Sequence, residues 1–417
     1  MFDRFRTLKE IVDAREVELG RGEVISQLDL EQAPGTYPVY SSSAQGSGEF
    51  GRYGRFMFDE ELITWSVDGG GRPFYRSKHR FSVTNVCGFL RIRARHKWNY
   101  RYLHAVMALQ HAAINFDYQT KAHPSVIQRL YRFAPIPITE QEFIAAVLDT
   151  VEDVIVQTQA VIAKLKQVRA GLLHDLLARG LDEHGQLRDP IAHPEQFRDS
   201  PLGRVPKEWQ VNELAECYQI PSKNGLYKKA SFYGSGIRMV HMPQMFVGST
   251  IDISNAARVS LDSQELQHYS LEEGDLLFAR RSLNLEGAGL CCMISALAEP
   301  ATFESSIVRV RLKRDQLEPR FAVAFLRSPL GYILRRRFIR QVAVSGVSGE
   351  DISHFLLPRP NCDEQNRILA ALDVHDSELT ALESEWGKLH HLKSGLMTDL
   401  LTGCVRVPEH VGVGGVN

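Results

Sequence analysis

Basic side chains set among aromatic residues and glycines are the part of this sequence best suited to act on something outside it. Near the start, Arg52, Tyr53 and Arg55 sit among glycines, and Arg72, Arg76, Lys78 and Arg80 interleave with Phe74, Tyr75 and Phe81, while Lys121 occupies a polar stretch. In the second half, Lys223, Lys228 and Lys229 flank Tyr227, and Arg280, Arg281 and Asn284 precede a glycine-rich run. Arg335, Arg336, Arg337 and Arg340 form a further cluster. A guanidinium fork pairs with phosphates and guanine edges, and an Asn amide with adenine, so these residue types fit nucleic-acid readout. Any one such cluster is more commonly a solvated face, but their recurrence in both halves favours a polyanionic partner.

Bond-making chemistry has no comparable signal. The sequence contains no G-x-x-x-x-G-K-[ST] phosphate loop, no G-x-G-x-x-G after a strand, no H-E-x-x-H and no G-x-S-x-G. It also lacks the Asn-Pro-Pro or Asp-Pro-Pro signature of amino-methyltransferases. Asp68-Gly69-Gly70-Gly71-Arg72 lacks the following Lys-Ser/Thr and reads as a tight turn. The 15 histidines, His390-His391 included, show no ligand spacing, and no metal site is expected. The six cysteines form no C-x-x-C pair and read as reduced thiols of a cytoplasmic protein. No signal segment follows the opening residues and no apolar run reaches membrane-spanning length. A net charge of -1 excludes a uniformly basic coat, but the average hides a segregation. The segments outside the long helices described next are net basic, and the second of those helices is acidic.

The elements that would position the basic clusters are two copies of one pattern. Residues 140–177 and 364–401 align without a gap at an offset of 224 (364 − 140). Glu140/Glu364, Gln141/Gln365, Ile144/Ile368, Leu148/Leu372, Asp149/Asp373, Lys164/Lys388, Leu165/Leu389, Gly171/Gly395, Leu172/Leu396, Asp175/Asp399 and Leu177/Leu401 coincide. In the first copy Ile144, Leu148, Val151, Ile155, Thr158, Ile162, Leu165, Val168, Leu172 and Leu176 recur in steps of three and four. Ile368, Leu372, His375, Leu379, Leu382, Trp386, Leu389, Leu392, Leu396 and Leu400 do so in the second. Each is therefore predicted to be a proline-free amphipathic helix of roughly 57 Å at ~1.5 Å per residue. Acidic residues gather at the start of both copies and basic ones toward the end, as the helix dipole favours. Seams over about five heptads suit pairing of the two copies as a coiled coil better than cover for one small domain, the alternative burial.

The expected fold is α/β: two mixed α/β domains separated by a pair of long helices packed as an antiparallel coiled coil. The predicted boundaries are a first domain at 1–138, a helix at 139–180 and a polar linker at 181–210, then a second domain at 211–360, a helix at 361–402 and a flexible tail at 403–417. Strands are expected in FMFD, LITWSV and FSVTNVCGFLRIR, and again in IRMVHM, DLLFAR, LCCMIS and SSIVRVRL. YRYLHAVMALQHAAINF and RFAVAFLRSPLGYILRRRFIRQ read as helical runs. Pro135 and Pro137, then Pro358 and Pro360, lead into the long helices. Antiparallel pairing would give a pseudo-twofold object with the two domains at opposite ends.

With these pieces in place, the chain resembles the DNA-specificity subunits of type I restriction-modification systems over essentially its full length. The similar segments are YPVYSSSAQGSGEFG, ITWSVDGGG and FYRSKHRFSVTNVCGFL in the first domain, and YSLEEGDLLFARRSLN with FESSIVRV in the second. In the helices they are PIPITEQEFIAAVLD with GLLHDLL, and PRPNCDEQNRILAALD with GLMTDLLTG. The resemblance implies two target-recognition domains reading a bipartite double-stranded DNA site, and helices that set the gap and dock two methyltransferase (modification) subunits. Those subunits would carry S-adenosylmethionine, with restriction or translocase subunits as further partners and no catalysis or cofactor in this chain. It brings Ser42, Ser43 and Trp65 onto the list of candidate DNA contacts. A coiled-coil scaffold without DNA specificity is the alternative from another class, and a self-sufficient methylating enzyme a third that the missing motifs disfavour.

Overall fold

A computed structural model describes residues 5–42, 46–68, 70–114, 121–341 and 345–407. Two compact units emerge: Met1–Val161 together with Leu382–Asn417, and Ile162–Ala381. Each therefore takes one α/β domain and a portion of both long helices.

In the first unit a six-stranded sheet runs in the order Val17–Arg21, Cys87–Ile92, Phe58–Ser66, Pro73–Val83, Tyr37–Tyr40, Glu49–Tyr53. All neighbours are antiparallel except Tyr37–Tyr40, which lies parallel to Pro73–Val83. Ile63 and Trp65 pack from one face of Phe58–Ser66 into the core with Leu90, and the adjacent Leu62 from the other face packs with Phe81 and Phe89. The expected helical run becomes Tyr100–His111, started by Asn99, whose side chain accepts from the amides of Arg101 and Tyr102.

The second unit holds a five-stranded sheet in the order Tyr218–Asn224, Ile307–Leu312, Leu276–Ala279, Cys291–Ile294, Thr250–Ile251. Two three-stranded sheets accompany it, one of them built from Arg281–Ser282, Ser345–Gly346 and Arg340–Gln341. The helical run expected here is split into Pro319–Arg327 and Pro329–Arg336. Pro329 disfavours a helical Ser328, which ends one helix and caps the next by accepting from the Gly331 amide at 3.1 Å.

Residues 181–210, expected to be a polar linker, carry a hairpin of Phe197–Ser200 with Gly203–Pro206. Leu181, Phe197, Leu202, Val205 and Trp209 enter the core of the second unit. Arg188 also pairs with the buried Glu364 at 2.5 Å. Five apolar residues spaced singly among Pro, Gly and Asp give no periodic signal, which is why the segment reads as a loop.

The long helices span Ile138–Arg179 and Cys362–Leu401. Within the first unit, Ile144 and Leu148 share a core with Leu400 and Leu401, and Glu152 pairs with Lys393 at 2.5 Å, so the two helices run antiparallel. Within the second, Leu176 and Leu177 share a core with Ile368, Leu369 and Leu372, and Arg169 pairs with Asp376, again antiparallel. The first helix stops at Gly180, whose φ of +66° suits glycine and where a Cβ would lie 2.3 Å from Glu364 Oε1. Among the described residues no helix is long and apolar enough to cross a membrane.

Candidate nucleic-acid interface

Of the fourteen residues expected to pair the helices, Ile144, Leu148, Ile155, Ile162, Ile368 and Leu372 are buried. Val151, Leu165, Leu172, Leu379, Leu382, Trp386, Leu389 and Leu396 are half-buried. Several cover their own domain at the same time, since Ile144 and Leu148 belong to the core that holds Trp65 and Tyr102. Two members of the stripe outside that set do not follow it inward, Val168 and Leu392 being 42% and 51% exposed.

Each long helix is fastened to its domain by one buried glutamine. Gln141 accepts from the Asn99 amide at 2.9 Å and donates to the carbonyls of Lys97 and Ile136 at 2.8 and 2.9 Å. Gln365 accepts from the Glu318 amide at 2.8 Å and donates to the carbonyls of Gln316 and Pro360 at 3.1 and 2.9 Å. Both side chains are fully buried, and each places both N–H donors and one acceptor site of its amide on main-chain atoms. Beside each glutamine an arginine of the domain's helix pairs with the repeat's aspartate: Arg101 with Asp149 at 2.5 Å, and Arg320 with Asp373. The pairs Glu152–Lys393 and Arg169–Asp376 are related by the repeat offset with roles exchanged (376 − 152 = 224 and 393 − 169 = 224). These groups line equivalent clefts of about 290 Å³ in the first unit and 340 Å³ in the second. In the sequence the glutamine shows only as an identity between the two copies with no role attached, although a polar residue kept at the root of both apolar stripes is a signal.

In the first domain the candidate contacts part company. Trp65 is fully buried and donates from Nε1 to the Ala122 carbonyl at 2.7 Å, so it is a core residue and is removed from the candidate contacts. The resemblance brought it onto the list, but its strand is buried on both faces from Leu62 to Ser66, and Trp65 packs with Ile63 in the core. Arg76 is likewise buried, its guanidinium 3.6 Å from the centroid of Tyr40 and its Nε donating to Thr64 Oγ1 at 2.9 Å. Burial lowers its pKa below the usual arginine value. Arg55, Arg72 and Lys78 are exposed, with Arg72 5.3 Å from the Phe74 ring. Arg52 is held by Glu49 at 3.1 Å, and Lys121 by Asp68 at 3.2 Å. Ser42 is half-buried and its carbonyl accepts from Ser66 Oγ at 2.6 Å; Ser43 lies outside the described residues.

In the second domain Arg280, Arg281 and Arg340 line one shallow depression with Gly346, Val347, Ser348 and Asp351. Arg340 pairs there with Asp351 at 3.2 Å. Arg281 and Asn284 are exposed at either side of Leu283, and Arg336 is exposed at the end of its helix. Its neighbour Arg335 turns into the protein, where burial lowers its pKa, and Nη2 donates to the Glu286 carbonyl at 3.0 Å. Lys228 is taken up by Glu265 at 2.6 Å and the Phe232 ring at 4.4 Å, and Lys223 lies 4.8 Å from the Tyr269 centroid. Lys229 is exposed. Leu283, Phe246 and Met242, which line a hollow with Arg281 and Asn284, were not among the residues expected to matter.

Among the described residues no three His, Cys, Asp or Glu side chains are grouped to hold a metal ion. The Cys87 thiol is pushed up to about 12 by burial, which disfavours the nucleophilic thiolate. The arrangement offers exposed cations on strands, on loops and at a helix end, suited to holding a polyanion and reading its edges.

Comparison with known proteins agrees in both halves. The family model for the type I restriction modification DNA specificity domain matches residues 4–167 and again 206–390. The MjaVIII type I restriction enzyme specificity subunit of Methanocaldococcus jannaschii is 21% identical over 399 residues, covering 90% of this chain and 88% of that one. The EcoKI specificity subunit of Escherichia coli K12 is 25% identical over 239 residues, or 57% of this chain and 49% of that one. Among solved structures, the S subunit of a type I restriction-modification system from M. genitalium gives a TM-score of 0.56 at 15% identity, covering 95% of this chain and 96% of that one. A chain from a study of complex assembly and conformational transition in the type I system gives 0.54 at 15% identity, covering 96% and 98%. At such identities the structural likeness speaks for the fold.

Proposed function

Because the chain belongs to the family of type I restriction-modification DNA specificity proteins, matched in both of its halves, we propose that it reads a bipartite double-stranded DNA target, one half-site per domain. The long helices act as the spacer between half-sites and as the surface on which two modification subunits dock. Those partners bind S-adenosylmethionine and methylate adenine, restriction and translocase subunits join the same assembly, and this chain contributes recognition without catalysis in the cytoplasm. The observation that carries this reading is the double family match, which falls on two domains that each root a copy of the same helix through the same glutamine joint.

The direct test is methylome sequencing of cells with and without the chain. A split, asymmetric methylation motif should vanish with its loss; an unchanged methylome would overturn the reading. Adding one helical turn to both long helices, ~5.4 Å against ~3.4 Å per base pair, should widen the tolerated spacer by one or two base pairs. Charge reversal at Arg336 and Arg340 separates this reading from a scaffold without DNA specificity. DNA recognition expects weaker binding and a shallower salt slope, and a scaffold expects no change.

A further inference from the structure

A single exposed leucine is ordinary, but Leu283, 90% exposed, does not stand alone. It stands between Arg281 and Asn284 and lines with Met242 and Phe246 an open hollow of about 450 Å³. Phe246 is itself 48% exposed and Val247 after it 88%. The loop is pinned from three sides. Ser282 Oγ accepts from the Asn284 amide at 3.1 Å, and buried Arg335 donates to the Glu286 carbonyl at 3.0 Å. Gly287 packs so closely that a Cβ would meet Ser282 Oγ at 2.3 Å and the Phe246 ring at 3.0 Å. Arg281 also borders the neighbouring depression that holds Arg280 and Arg340, so an apolar tip is set in a basic surround.

A cationic surround selects a polyanion, and an apolar tip within it needs an apolar feature on that polyanion. In the major groove of duplex DNA the base edges are hydrogen-bonding groups except for the C5 methyl of thymine. We propose that the loop carrying Leu283 is the apolar specificity element of the second domain: Leu283, backed by Met242 and Phe246, touches a thymine methyl while Arg281 and Arg340 hold adjacent phosphates. The inference rests on the DNA-reading function proposed above and adds the base feature and the residue that reads it.

The test uses the full-length chain in its native assembly and duplexes bearing the mapped target, with each thymine of both strands replaced singly by deoxyuridine. At one position the loss of the methyl should weaken binding about fourfold, the weight of one such group leaving water. Leu283→Ala should bind the thymine and uracil duplexes equally at that position, with an unchanged thermal midpoint. Arg281→Ala should weaken binding to every duplex alike. Uniform binding of all uracil duplexes by the unsubstituted chain overturns the inference while leaving DNA reading intact. So does a penalty for Leu283→Ala with no uracil sensitivity anywhere, which would mean insertion between bases. Failure to bind any duplex overturns both.

Discussion

The two domains share a central strand pair and part company at its end. In the first, Ile63 faces Leu90 and Trp65 faces Gly88; in the second, Leu276 faces Val310 and Phe278 faces Val308. One further step along, Arg91 and Arg311 occupy matching positions and are each clamped by carboxylates, Glu60 at 2.7 Å in one case and Asp275 at 2.7 Å in the other. Beyond the strand the first domain continues as Val67 and Asp68, whose carboxylate holds Lys121, and the second as Arg280 and Arg281, which meet the basic depression. The scaffold is thus kept by volume and pairing, and the chemistry shown to a ligand is chosen in the loop that follows. Trp65 with Gly88 and Phe278 with Val308 are two solutions to one packing problem: a Cβ on Gly88 would lie 2.2 Å from the Trp65 indole.

The sharpest way to break this comparison is to impose the second solution on the first domain. Gly88→Val should destabilise the first unit by about 3 kcal/mol through overpacking, and adding Trp65→Phe should restore about half of that in denaturant unfolding. Independent, additive losses would show that the two strand pairs are not equivalent. Next in size, Gln141→Leu and Gln365→Leu each strand one buried amide and two carbonyls and should cost about 2 to 3 kcal/mol. Similar costs, read by hydrogen exchange in each unit, are expected if the joints do the same job.

Acid should separate the units. Burial is the main cause holding the His104 pKa down to about 4 from an ordinary value of 6.5. The unfolded chain therefore takes up this proton first. Its contribution is complete above pH 6.5 and is lost as the pH falls toward 4. Because the ring is only half-buried on the cleft wall, about 1 to 2 kcal/mol is expected. The matching position in the second unit is Val323, and His104→Val should remove most of the pH dependence in that window, the rest belonging to His111, whose pKa burial also lowers. Glu16 does not mask it. Burial would raise its pKa, but hydrogen bonds from Lys97, Trp98 and Arg6 outweigh this and bring it to about 2, so its contribution fades only below about 4.5. Smallest of all, Lys393→Met and Arg169→Met should each cost less than about 1 kcal/mol, since both pairs are partly solvated.

Much of the architecture was legible because it is periodic. The helices expected at 139–180 and 361–402 are found at Ile138–Arg179 and Cys362–Leu401, and the alternating strand runs fall where the pattern puts them. What escaped depends on direction and on isolated residues. A sequence shows that Trp65 and Arg76 are aromatic and basic, but it does not show that both faces of the sheet are covered there, which buries both. The hairpin at 197–206 hid because its apolar residues are single. Leu283 escaped for the opposite reason, as an apolar residue in a polar loop carries no periodic signal until its exposure is measured.

The glutamine joint has a consequence for how this protein can change. On the domain side every partner of Gln141 and Gln365 is a main-chain amide or carbonyl, so the mount is indifferent to which side chains the domain carries. A domain can exchange its outward-facing residues wholesale, and so acquire a new ligand preference, without loosening the fastening that fixes its angle on the helix.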